Sequence, residues 1–400
     1  MLHTSDWHLG RLFHGASLRH EQEHTLARLA DLVVDHRIDV VLVAGDIYDR
    51  AIPPSDAVAR FDDALVAFRE AGATVVAITG NHDSPVRVGF GDRLLATAGV
   101  TIRGDLARGA EPVVLAADDG GPPVAIYPVP YLDPLAVAHL AAADDVPGGE
   151  VDPADGARRR VSHDRAMAWA LDRVRHDAAA RGGRSVVVAH TFVNGAAPSD
   201  SERELSVGNV DLVGLRRFDG FDYVALGHLH RPQSWDGGRV AYAGSPLPYS
   251  FSEEDHLKSV RIVELGADGS VEVQVEPLAV GRPLRTLEGE LDELLRDRSL
   301  DDVEGAFVRV LLTDRHLPLQ AMSRLQQRFP FAVELRHVPA AVPDADLAAR
   351  SPLRPADTRR TDPLALSVRF LDEQRGFATD VAERRLLEHA LDDAHRGEAS

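Results

Sequence analysis

The sequence predicts an α/β first domain with mixed sheets, followed by a small α+β unit and C-terminal helices. Short β-branched runs in the first half end in Gly, Pro or Asp, and helical patterns such as residues 21–35 and 56–71 lie between the early runs. That alternation is typical of buried strands connected by helices. Residues 259–277 differ, because two strand-like runs flank a Gly-Ala-Asp-Gly-Ser turn, which is typical of an antiparallel hairpin.

The other predicted strands of the first domain are short and rich in Val, Ile and Ala. They cover residues 39–45, 74–79, 123–129, 185–190, 221–226 and 240–246. Runs of this composition, bounded by turn residues, are typical of strands inside a sheet. We expect the first domain to span residues 1–278.

The remainder of the chain shows three further patterns. Residues 283–338 contain a strand, a helix and a strand, carried by "AFVRVLLTD", "LPLQAMSRLQQRF" and "AVELRHV", and we expect a small α+β domain there. Residues 339–363 are rich in Pro, Ala, Asp and Arg, which is typical of a linker. Residues 364–400 are predicted to be helical, and they either dock back on the preceding domain or bind a partner.

Composition limits the chemistry that the chain can perform. With 400 residues, 44% apolar and 27% charged, it is typical of a globular protein of two or three domains. It has no cysteine, so disulfides and thiolate sites are excluded, and a metal must be bound by His, Asp, Glu or Asn. No apolar run reaches roughly 20 residues and the N-terminus lacks a signal-peptide pattern, so we expect a cytoplasmic location.

The net charge is strongly negative. Lys and Arg total 44 and Asp and Glu total 63, so the formal charge is −19. This balance argues against binding nucleic acid by a general basic surface. It does not exclude a nuclease, because a metal site needs acidic ligands and a partner protein can supply the phosphate contacts. The chain has no GxxxxGK[ST] pattern, so no P-loop ATP site is expected in it.

Polar side chains follow five predicted strands at the point where each strand ends. They are Asp6 and His8, Asp46 and Asp49, Asn81 with His82 and Asp83, His190, and His228 with His230. The carboxyl ends of strands line the ligand crevice of open α/β sheets, so we expect these side chains to converge. One such pair alone is more often a loop, but five groups with the same ligand chemistry predict a metal site.

The spacing within two of these groups has a structural meaning. Asp6 and His8 are two apart, as are His228 and His230, and alternate side chains of an extended chain point to the same face. We therefore expect each pair to lie on one face of its loop. Glycine permits the sharp turns and close backbone approach that such a site needs. Three glycines separate strands from these polar groups: Gly45, Gly80 and Gly227.

In order along the chain, "DWH", "GDIYDR", "GNHD", "VVAH" and "GHLH" resemble the motifs of calcineurin-like metallophosphoesterases. The resemblance implies a four-layer fold, in which a β-sandwich flanked by helices holds two metal ions. The segments "SERELSVG", "GSPLPYSFSEED" and "KSVRIVEL" are further similar to the SbcD-type family of double-strand-break-repair nucleases. This likeness covers residues 1–285, and more loosely a capping domain to residue 338. Ser201–Arg203 match that family, but their residue types indicate no role.

The resemblance implies a role for each strand-end residue. The first metal would be held by Asp6, His8 and His230, the second by Asn81, His190 and His228, and Asp46 would bridge both. Manganese suits this mixture of ligands best, with iron, magnesium and zinc as alternatives. Two ions about 3.5–4 Å apart generate a nucleophile from water at neutral pH and clamp the phosphate oxygens of an in-line displacement.

His82 is left over from the ligand set. We expect it to face the substrate, and to protonate the leaving 3′ oxygen or stabilise the transition state. Asp49 is expected to orient and charge His82, as the matching residue does in related phosphatases. Asp83 is either a supporting residue of the centre or a turn residue.

Three arginines follow the ligand motifs closely and either contact DNA phosphates or are solvated and salt-bridged. They are Arg11, Arg50 and Arg87. Three histidines lie away from the strand ends and are not expected to be ligands: His3, His14 and His20.

The resemblance implies a manganese-dependent DNA nuclease, with 3′-5′ exonuclease activity on double strands and endonuclease activity on single strands and hairpins. It also implies an ATPase partner with a long coiled coil, and a homodimer of this chain within a heterotetramer. One alternative is a metallophosphoesterase that acts on a small phosphodiester or a phosphoprotein. Another is a metal-free scaffold of the same fold, against which the complete ligand set argues.

Overall fold

The structure is a computed structural model that describes residues 1–117, 120–143, 150–151, 159–202, 212–339, 362–375 and 378–398. The chain divides into two compact units, Met1–Arg285 and Thr286–Ser400. The predicted linker over residues 339–363 lies almost wholly outside the described residues. Within them, no helix combines the length and apolar character needed to cross a bilayer.

The first unit contains two six-stranded sheets and the helices that cover them. Its sheet strands are β1 Leu2–Thr4, β2 Val40–Ala44, β3 Thr74–Ile78, β4 Val100–Arg103, β5 Val113–Leu115, β6 Val124–Val129, β7 Arg184–His190, β8 Tyr223–Gly227, β9 Gln233–Trp235, β10 Val240–Tyr242, β11 Ser259–Leu265 and β12 Val271–Pro277. Its longer helices are α1 Arg19–Asp35, α2 Ser55–Glu70, α3 Pro134–Ala143 and α4 His163–Arg181. Every strand predicted from sequence is present, and so are the two predicted helices.

The two sheets have related topologies. The first has the order β12-β11-β1-β2-β3-β4, in which β1 to β4 are parallel and the β11–β12 hairpin joins antiparallel to β1. The second has the order β9-β10-β8-β7-β6-β5, with a parallel centre of β10, β8, β7 and β6 and an antiparallel strand at each edge. Both sheets are therefore mixed, as predicted.

Three apolar cores hold four layers together. One lies between the first sheet and helices α1 and α2, a second lies between the two sheets, and a third lies between the second sheet and helices that include α4. Strand β2 shows why both of its faces must be apolar. Val41 and Val43 pack towards the helices, whereas Val40, Leu42 and Ala44 pack towards the other sheet. The predicted sandwich flanked by helices is confirmed.

The sandwich brings the carboxyl ends of strands from both sheets to one place. His190 at the end of β7 pairs in register with Gly227 at the end of β8. The ring of His190 also reaches across to Ala44 at the end of β2, where its Nδ1 lies 2.9 Å from the carbonyl oxygen. The loops that follow these strands therefore meet at one edge of the sandwich.

The second unit contains a three-stranded sheet and helices. Its elements are β13 Leu284–Gly289, β14 Phe307–Leu312, α5 Ala321–Arg328, β15 Ala332–His337, α6 Pro363–Arg375 and α7 Val381–Glu398. The sheet has the order β13-β14-β15, and β14 and β15 are parallel. Its core is formed by buried residues such as Val308, Val310, Leu325 and Phe329. The predicted α+β unit is present.

Helices α6 and α7 form a hairpin closed by local hydrogen bonds. The Asp372 carboxylate accepts hydrogen bonds from the main-chain N–H and the hydroxyl of Thr379, both at 2.6 Å. At the start of α7, Asp380 and Glu383 each accept the main-chain N–H of the other at 2.9 and 3.0 Å. This reciprocal arrangement is a capping box, which fixes where α7 begins.

Candidate metal centre

The loops that follow the strand ends adopt left-handed backbone at the polar residues themselves. Asp6, His8 and Asp46 have φ angles of 54°, 44° and 50°, and His228 has a φ of 109°. The extended chain predicted for Asp6 and His8 is therefore wrong, and a tight turn brings these side chains together instead. Non-glycine residues keep such angles only where the surrounding structure imposes them, which is common at functional sites.

Asp6, His8 and His230 form one ligand group. Their ligand atoms lie within 4.8 Å of one another, and all three side chains are buried. His8 Nε2 lies 3.1 Å from His230 Nε2, so the two rings turn the same nitrogen towards one point. The two Asp6 carboxylate oxygens lie 3.0 and 3.2 Å from the main-chain N–H of His228, which donates to them. The structure thus brings together the three residues assigned to the first metal.

Asn81, His190 and His228 form the second group. His190 Nε2 lies 2.9 Å and His228 Nδ1 lies 3.2 Å from Asn81 Oδ1. The buried Nδ2 of Asn81 has no hydrogen-bond partner among the described residues, so the amide presents its oxygen to the two rings. His228 and His230 thus face different groups, the division that the resemblance implies.

Asp46 lies between the two groups. One oxygen, Oδ2, lies 3.7 Å from His8 Nε2 of the first group and 3.5 Å from His190 Nε2 of the second. The other, Oδ1, accepts the main-chain N–H of His82 at 2.9 Å, which fixes the orientation of the carboxylate. A single buried carboxylate therefore faces both ligand groups at once.

Two glycines allow this close approach of the strand ends. A Cβ on Gly227 would lie 1.9 Å from the carbonyl oxygen of Ala44, and a Cβ on Gly80 would lie 2.1 Å from Asp46 Oδ1. Neither distance is tolerable for a side chain, so a larger residue would push the ligand loops apart. The close backbone approach predicted at these positions is confirmed.

Burial sets the charge state of the ligands. It lowers the pKa of His8 and of His228 well below the ordinary value, which leaves these rings in the neutral form that binds metals. Burial raises the pKa of Asp6 to about 6. Burial alone would also raise the pKa of Asp46, but the charge and hydrogen bond of His190 hold it well below its usual range.

His190 shows that the cluster favours a positive charge. Its Nδ1–H donates to the carbonyl of Ala44, while its Nε2 faces oxygens of Asn81 and Asp46. Burial lowers the pKa of this ring, but the charge and hydrogen bond of Asp46 outweigh it and raise the pKa to about 9. A divalent ion supplies the same positive charge, and carboxylate, amide and imidazole donors suit Mn²⁺, Fe²⁺, Mg²⁺ or Zn²⁺. These residues therefore fit a centre of two divalent ions.

His82 lies beside the first group, with its ring centroid 4.7 Å from that of His8. Its Nδ1–H donates to the main-chain carbonyl of Asp49 at 2.8 Å. The Asp49 carboxylate lies 3.8 Å from His8 Nδ1 and 3.5 Å from the Arg11 guanidinium. It also lies within 4.8 Å of a ring nitrogen of His82. Asp49 therefore orients His82 through its main chain and keeps its carboxylate charge close to that ring.

Asp83 joins two ligand loops. Its carboxylate accepts main-chain N–H groups of Gly80 at 2.9 Å, Tyr48 at 2.9 Å and Ile47 at 3.1 Å. The first belongs to the loop of Asn81 and the other two follow the bridging aspartate. Of the two roles left open by the sequence, the structure favours support of the centre.

Two side chains that the sequence did not reveal hold the loop of His8. Gln22 accepts the main-chain N–H of Gly10 at 3.2 Å and donates to the carbonyl of His8 at 2.9 Å. The Tyr249 hydroxyl donates to the carbonyl of Trp7 at 2.5 Å, and its ring packs edge-on against His8. The one available signal was a polar glutamine on the apolar face of α1.

The family-like segment Ser201–Arg203 contacts the centre through its first two residues. Ser201 Oγ lies 2.5 Å from His230 Nδ1, and Glu202 accepts the main-chain N–H of His230 at 2.8 Å. Arg203 lies outside the described residues. A segment that had no chemical role in the sequence therefore borders a ligand.

The arginines and spare histidines have distinct surroundings. Arg11 lies over the Tyr249 ring at 4.9 Å, as well as near Asp49, whereas Arg50 and Arg87 are exposed. His3 is a core residue, because its Nδ1 lies 2.8 Å from the Tyr223 hydroxyl and its Nε2 lies 3.1 Å from the Leu226 carbonyl. Burial lowers the pKa of His3 to about 3, so it is neutral. The expectation that it is not a ligand stands.

Comparison with known proteins defines the class. Residues 1–232 match the model of the calcineurin-like phosphoesterase family, and residues 280–375 match a domain described as the Type 5 capsule protein repressor C-terminal domain. The first match covers more than half of the chain, which therefore belongs to the calcineurin-like phosphoesterase family. The prediction of an enzyme that hydrolyses phosphoester bonds is confirmed.

Within that family the chain is similar to a named nuclease. It is 26% identical over 339 residues to the SbcD component of nuclease SbcCD from Staphylococcus epidermidis, a match that covers 84% of this chain and 85% of the relative. The predicted resemblance to SbcD-type nucleases is thereby confirmed.

Two solved structures are also similar at low identity. TT1561 of Thermus thermophilus is 13% identical with a TM-score of 0.37, and covers 68% of this chain and 97% of its own. A dimetal phosphatase from Danio rerio is 13% identical with a TM-score of 0.39, and covers 70% and 98%. At these scores the two structures carry no argument about the function of this chain.

Proposed function

We propose that this chain is the nuclease component of an SbcCD-type complex and hydrolyses DNA phosphodiester bonds at a centre of two divalent ions. The observation that carries the proposal is Asp46, whose carboxylate faces both ligand groups. The likeness to the SbcD component of nuclease SbcCD over most of both chains supports DNA as the substrate.

The residues of the chain divide the work of hydrolysis. Asp6, His8 and His230 would hold one ion, Asn81, His190 and His228 the other, and Asp46 both. Divalent ions held by these residues would supply Lewis-acid chemistry, polarising the phosphodiester and lowering the pKa of water. The ligands would position both ions by their own fixed orientation, and burial keeps the imidazoles of His8 and His228 neutral.

His82 would move the proton. Since its Nδ1–H donates to the Asp49 carbonyl, its Nε2 is the nitrogen left for the substrate. In the imidazolium form, which carries a hydrogen on each nitrogen, Nε2–H can donate its proton to the leaving 3′ oxygen as the bond to phosphorus breaks, or stabilise charge that develops on the phosphate. The half-buried position of His82 beside the first ligand group supports this role.

The metal and the mode of cleavage are proposed on chemistry and family likeness. Carboxylate, amide oxygen and imidazole together suit manganese, iron, magnesium or zinc, and of these we propose manganese. We propose 3′-5′ exonuclease activity on double-stranded ends, and endonuclease activity on single strands and hairpins, in repair and recombination in the cytoplasm. These activities follow the SbcD-type family that the chain resembles.

Assays of manganese-loaded protein test the proposal directly. Full-length protein is incubated with end-labelled duplex DNA, hairpin DNA and a cyclic nucleotide, and elemental analysis counts bound manganese. We expect cleavage of both DNA substrates and two ions per chain. Exclusive hydrolysis of the cyclic nucleotide would favour a small-substrate phosphodiesterase, and absence of bound metal would favour a scaffold protein.

The C-terminal hairpin is the proposed docking site for an SbcC-type coiled-coil ATPase. Phe370 of α6 is 55% exposed, and Val381 and Leu386 of α7 are 73% and 69% exposed, so the hairpin presents apolar side chains to solvent. Deleting residues 364–400 should abolish co-purification with such an ATPase and leave manganese binding intact. Unchanged co-purification would favour helices that dock within this chain.

A second apolar surface supports the proposed homodimer. Val86, Phe90 and Leu94 are 84%, 85% and 75% exposed, and they follow one another at intervals of four residues just after the loop of His82. Three large apolar side chains exposed within nine residues are more than scattered surface exposure explains, and such a segment is a candidate interface between protomers. Phe90→Asp should shift the protein from dimer to monomer in light scattering, whereas a dimeric variant would exclude this surface.

A further inference from the structure

The chain contains one lysine, Lys258, beside 43 arginines. Its ammonium, the only lysine ammonium in the chain, is buried, with 6% of the residue's surface exposed. A buried cation is costly unless it is paired and fully hydrogen-bonded. The surroundings of Lys258 therefore indicate what this ammonium does.

All three hydrogens of the Lys258 ammonium have an acceptor. Nζ donates to the carboxylate of Glu253, to the main-chain carbonyl of His230 at 3.1 Å and to Ser245 Oγ at 2.9 Å. The hydroxyl of Ser245 in turn donates to the carbonyl of Leu247 at 2.7 Å. An ammonium offers three donors at one point, whereas a guanidinium offers five in a planar fork, so arginine cannot reproduce this arrangement.

Glu253 carries the network to the ring of a ligand. Its Oε2 pairs with Lys258, and its Oε1 accepts the hydroxyl hydrogen of Ser201. Because that hydrogen is committed to a carboxylate, Ser201 Oγ must act as acceptor towards His230 Nδ1, at 2.5 Å. His230 therefore carries its proton on Nδ1 and directs the lone pair of Nε2 towards His8 Nε2 and the first ligand group.

The same residues fix the main chain of this ligand. Glu202 accepts the N–H of His230 at 2.8 Å and is itself held by Ser199, while Lys258 donates to the His230 carbonyl. The ring, the N–H and the carbonyl of His230 are thus each bound by a different side chain. The ring of His8 differs, because its buried Nδ1 has no hydrogen-bond partner among the described residues, although Gln22 holds its main-chain carbonyl.

We propose that Lys258, Glu253 and Ser201 are positioning residues that fix the tautomer and orientation of His230, and that this task requires an ammonium at position 258. The inference rests on the proposed two-ion centre and adds the residues that prepare one of its ligands. Groups behind a ligating histidine orient the ring and raise its basicity, and their loss weakens metal binding about 10- to 100-fold.

Titration of the full-length, metal-stripped protein with Mn²⁺ tests this inference. Calorimetry and the electron paramagnetic resonance of free Mn²⁺ give the number of ions and each dissociation constant. We expect S201A and K258R to bind one of two ions about 10- to 100-fold more weakly. S201T keeps the hydroxyl, so it should restore the affinity towards that of the wild type.

The control is R261K, a substitution of another buried cation. Arg261 donates to the carbonyls of Tyr242 and Gln233 and touches no ligand side chain among the described contacts. R261K should lower the melting temperature without changing either Mn²⁺ dissociation constant. This separates loss of fold stability from loss of ligand position.

The outcomes separate this inference from the proposed function. A wild-type chain that binds two ions and cuts DNA, with S201A equal to the wild type, overturns the inference alone. A wild-type chain that binds no ion overturns both. If K258R fails to fold, the S201A and S201T pair still decides, because Ser201 is half-buried and its loss leaves the Lys258 and Glu253 pair in place.

Discussion

His190 and His230 occupy corresponding places in the two ligand groups, but different kinds of group hold their rings. The Nδ1–H of His190 donates to the main-chain carbonyl of Ala44, inside the packed end of the sandwich. The Nδ1 of His230 is held by the side chain of Ser201, a loop residue whose hydroxyl donates to the Glu253 carboxylate. The support of His190 is therefore main chain of the sandwich, whereas the support of His230 is made by side chains.

This difference determines what mutation can change. The carbonyl of Ala44 cannot be removed by substitution, so this support of His190 can be disturbed only by moving strand β2 or its neighbours. The hydroxyl of Ser201 can be removed alone, so the first group can be altered with the fold intact. We therefore expect changes to the support of His190 to appear as lost stability, and changes behind His230 as lost affinity for metal.

Asp46→Ala should give the largest effect, because it removes the one carboxylate that faces both groups. We expect DNA cleavage to fall below detection and both Mn²⁺ dissociation constants to rise in calorimetry. Asp63→Ala, which removes an exposed carboxylate from α2, is the control and should match the wild type. Unchanged metal content in Asp46→Ala would refute the bridging role and show that the two ligand groups bind their ions independently.

His82→Ala should give the next largest effect and leave both groups intact. The main-chain N–H of His82, which holds Asp46, survives the substitution, so we expect two ions to bind as before. Turnover should fall about 10²- to 10⁴-fold, the typical contribution of one proton-transferring group. Quenched-flow assays on hairpin DNA measure it, with the exposed His24→Ala as control. Turnover equal to the wild type would remove His82 from catalysis.

Most of the second group could be predicted from the sequence, because its support is the sheet. Buried β-branched runs followed by Gly80 and Gly227 marked the strand ends, and parallel strands bring such ends together. The pairing of Asp6 with His8 was predicted for the wrong reason. Their left-handed backbone replaces the extended chain, and single residues with positive φ leave no periodic pattern in a sequence.

The support of the first group lay beyond sequence patterns for a physical reason. Ser201 comes from a loop and Glu253 from a three-residue 3-10 helix, Phe251–Glu253, and neither is long enough for a periodic pattern to show which side chains turn inward. The carbonyl of Asp49, which holds His82, belongs to the main chain and is the same for every residue type. Lys258 did stand out in the sequence, because a chain with 43 arginines and a single lysine has an unusual composition.

Gly227→Ala tests the prediction that the second group fails through stability. Its Cβ would lie 1.9 Å from the carbonyl oxygen of Ala44, so strands β8 and β2 must separate. We expect the free energy of unfolding in urea to fall by about 1–3 kcal/mol or more. Gly214→Ala is the control, because its backbone φ of −65° suits alanine and its Cβ would meet only ordinary contact at 3.5 Å. Equal stability of the two variants would contradict the backbone origin of this support.

The smallest expected effect is on the pH dependence of Mn²⁺ affinity, and it also distinguishes His190 from His230. In the metal-free chain burial lowers the pKa of His190, but Asp46 outweighs it and raises the pKa from 6.5 to about 9. An ion binds only the deprotonated ligand, so below that pKa a proton competes with it. Between about pH 6 and about pH 9, Mn²⁺ affinity should therefore rise about tenfold per pH unit for the one proton released by His190, and it should level off near pH 9. Below about pH 6 it should fall more steeply, because Asp6 also binds a proton there.

Calorimetry in two buffers of different ionisation enthalpy counts the protons that Mn²⁺ releases. We expect about one proton at neutral pH in the wild type, and the same number in S201A, because the His190 support is untouched. S201A should thus differ in affinity and not in proton release. An affinity that is flat from neutral pH to about 9 would show that His190 is already neutral before the ion arrives, and that Asp46 does not hold a proton on its ring.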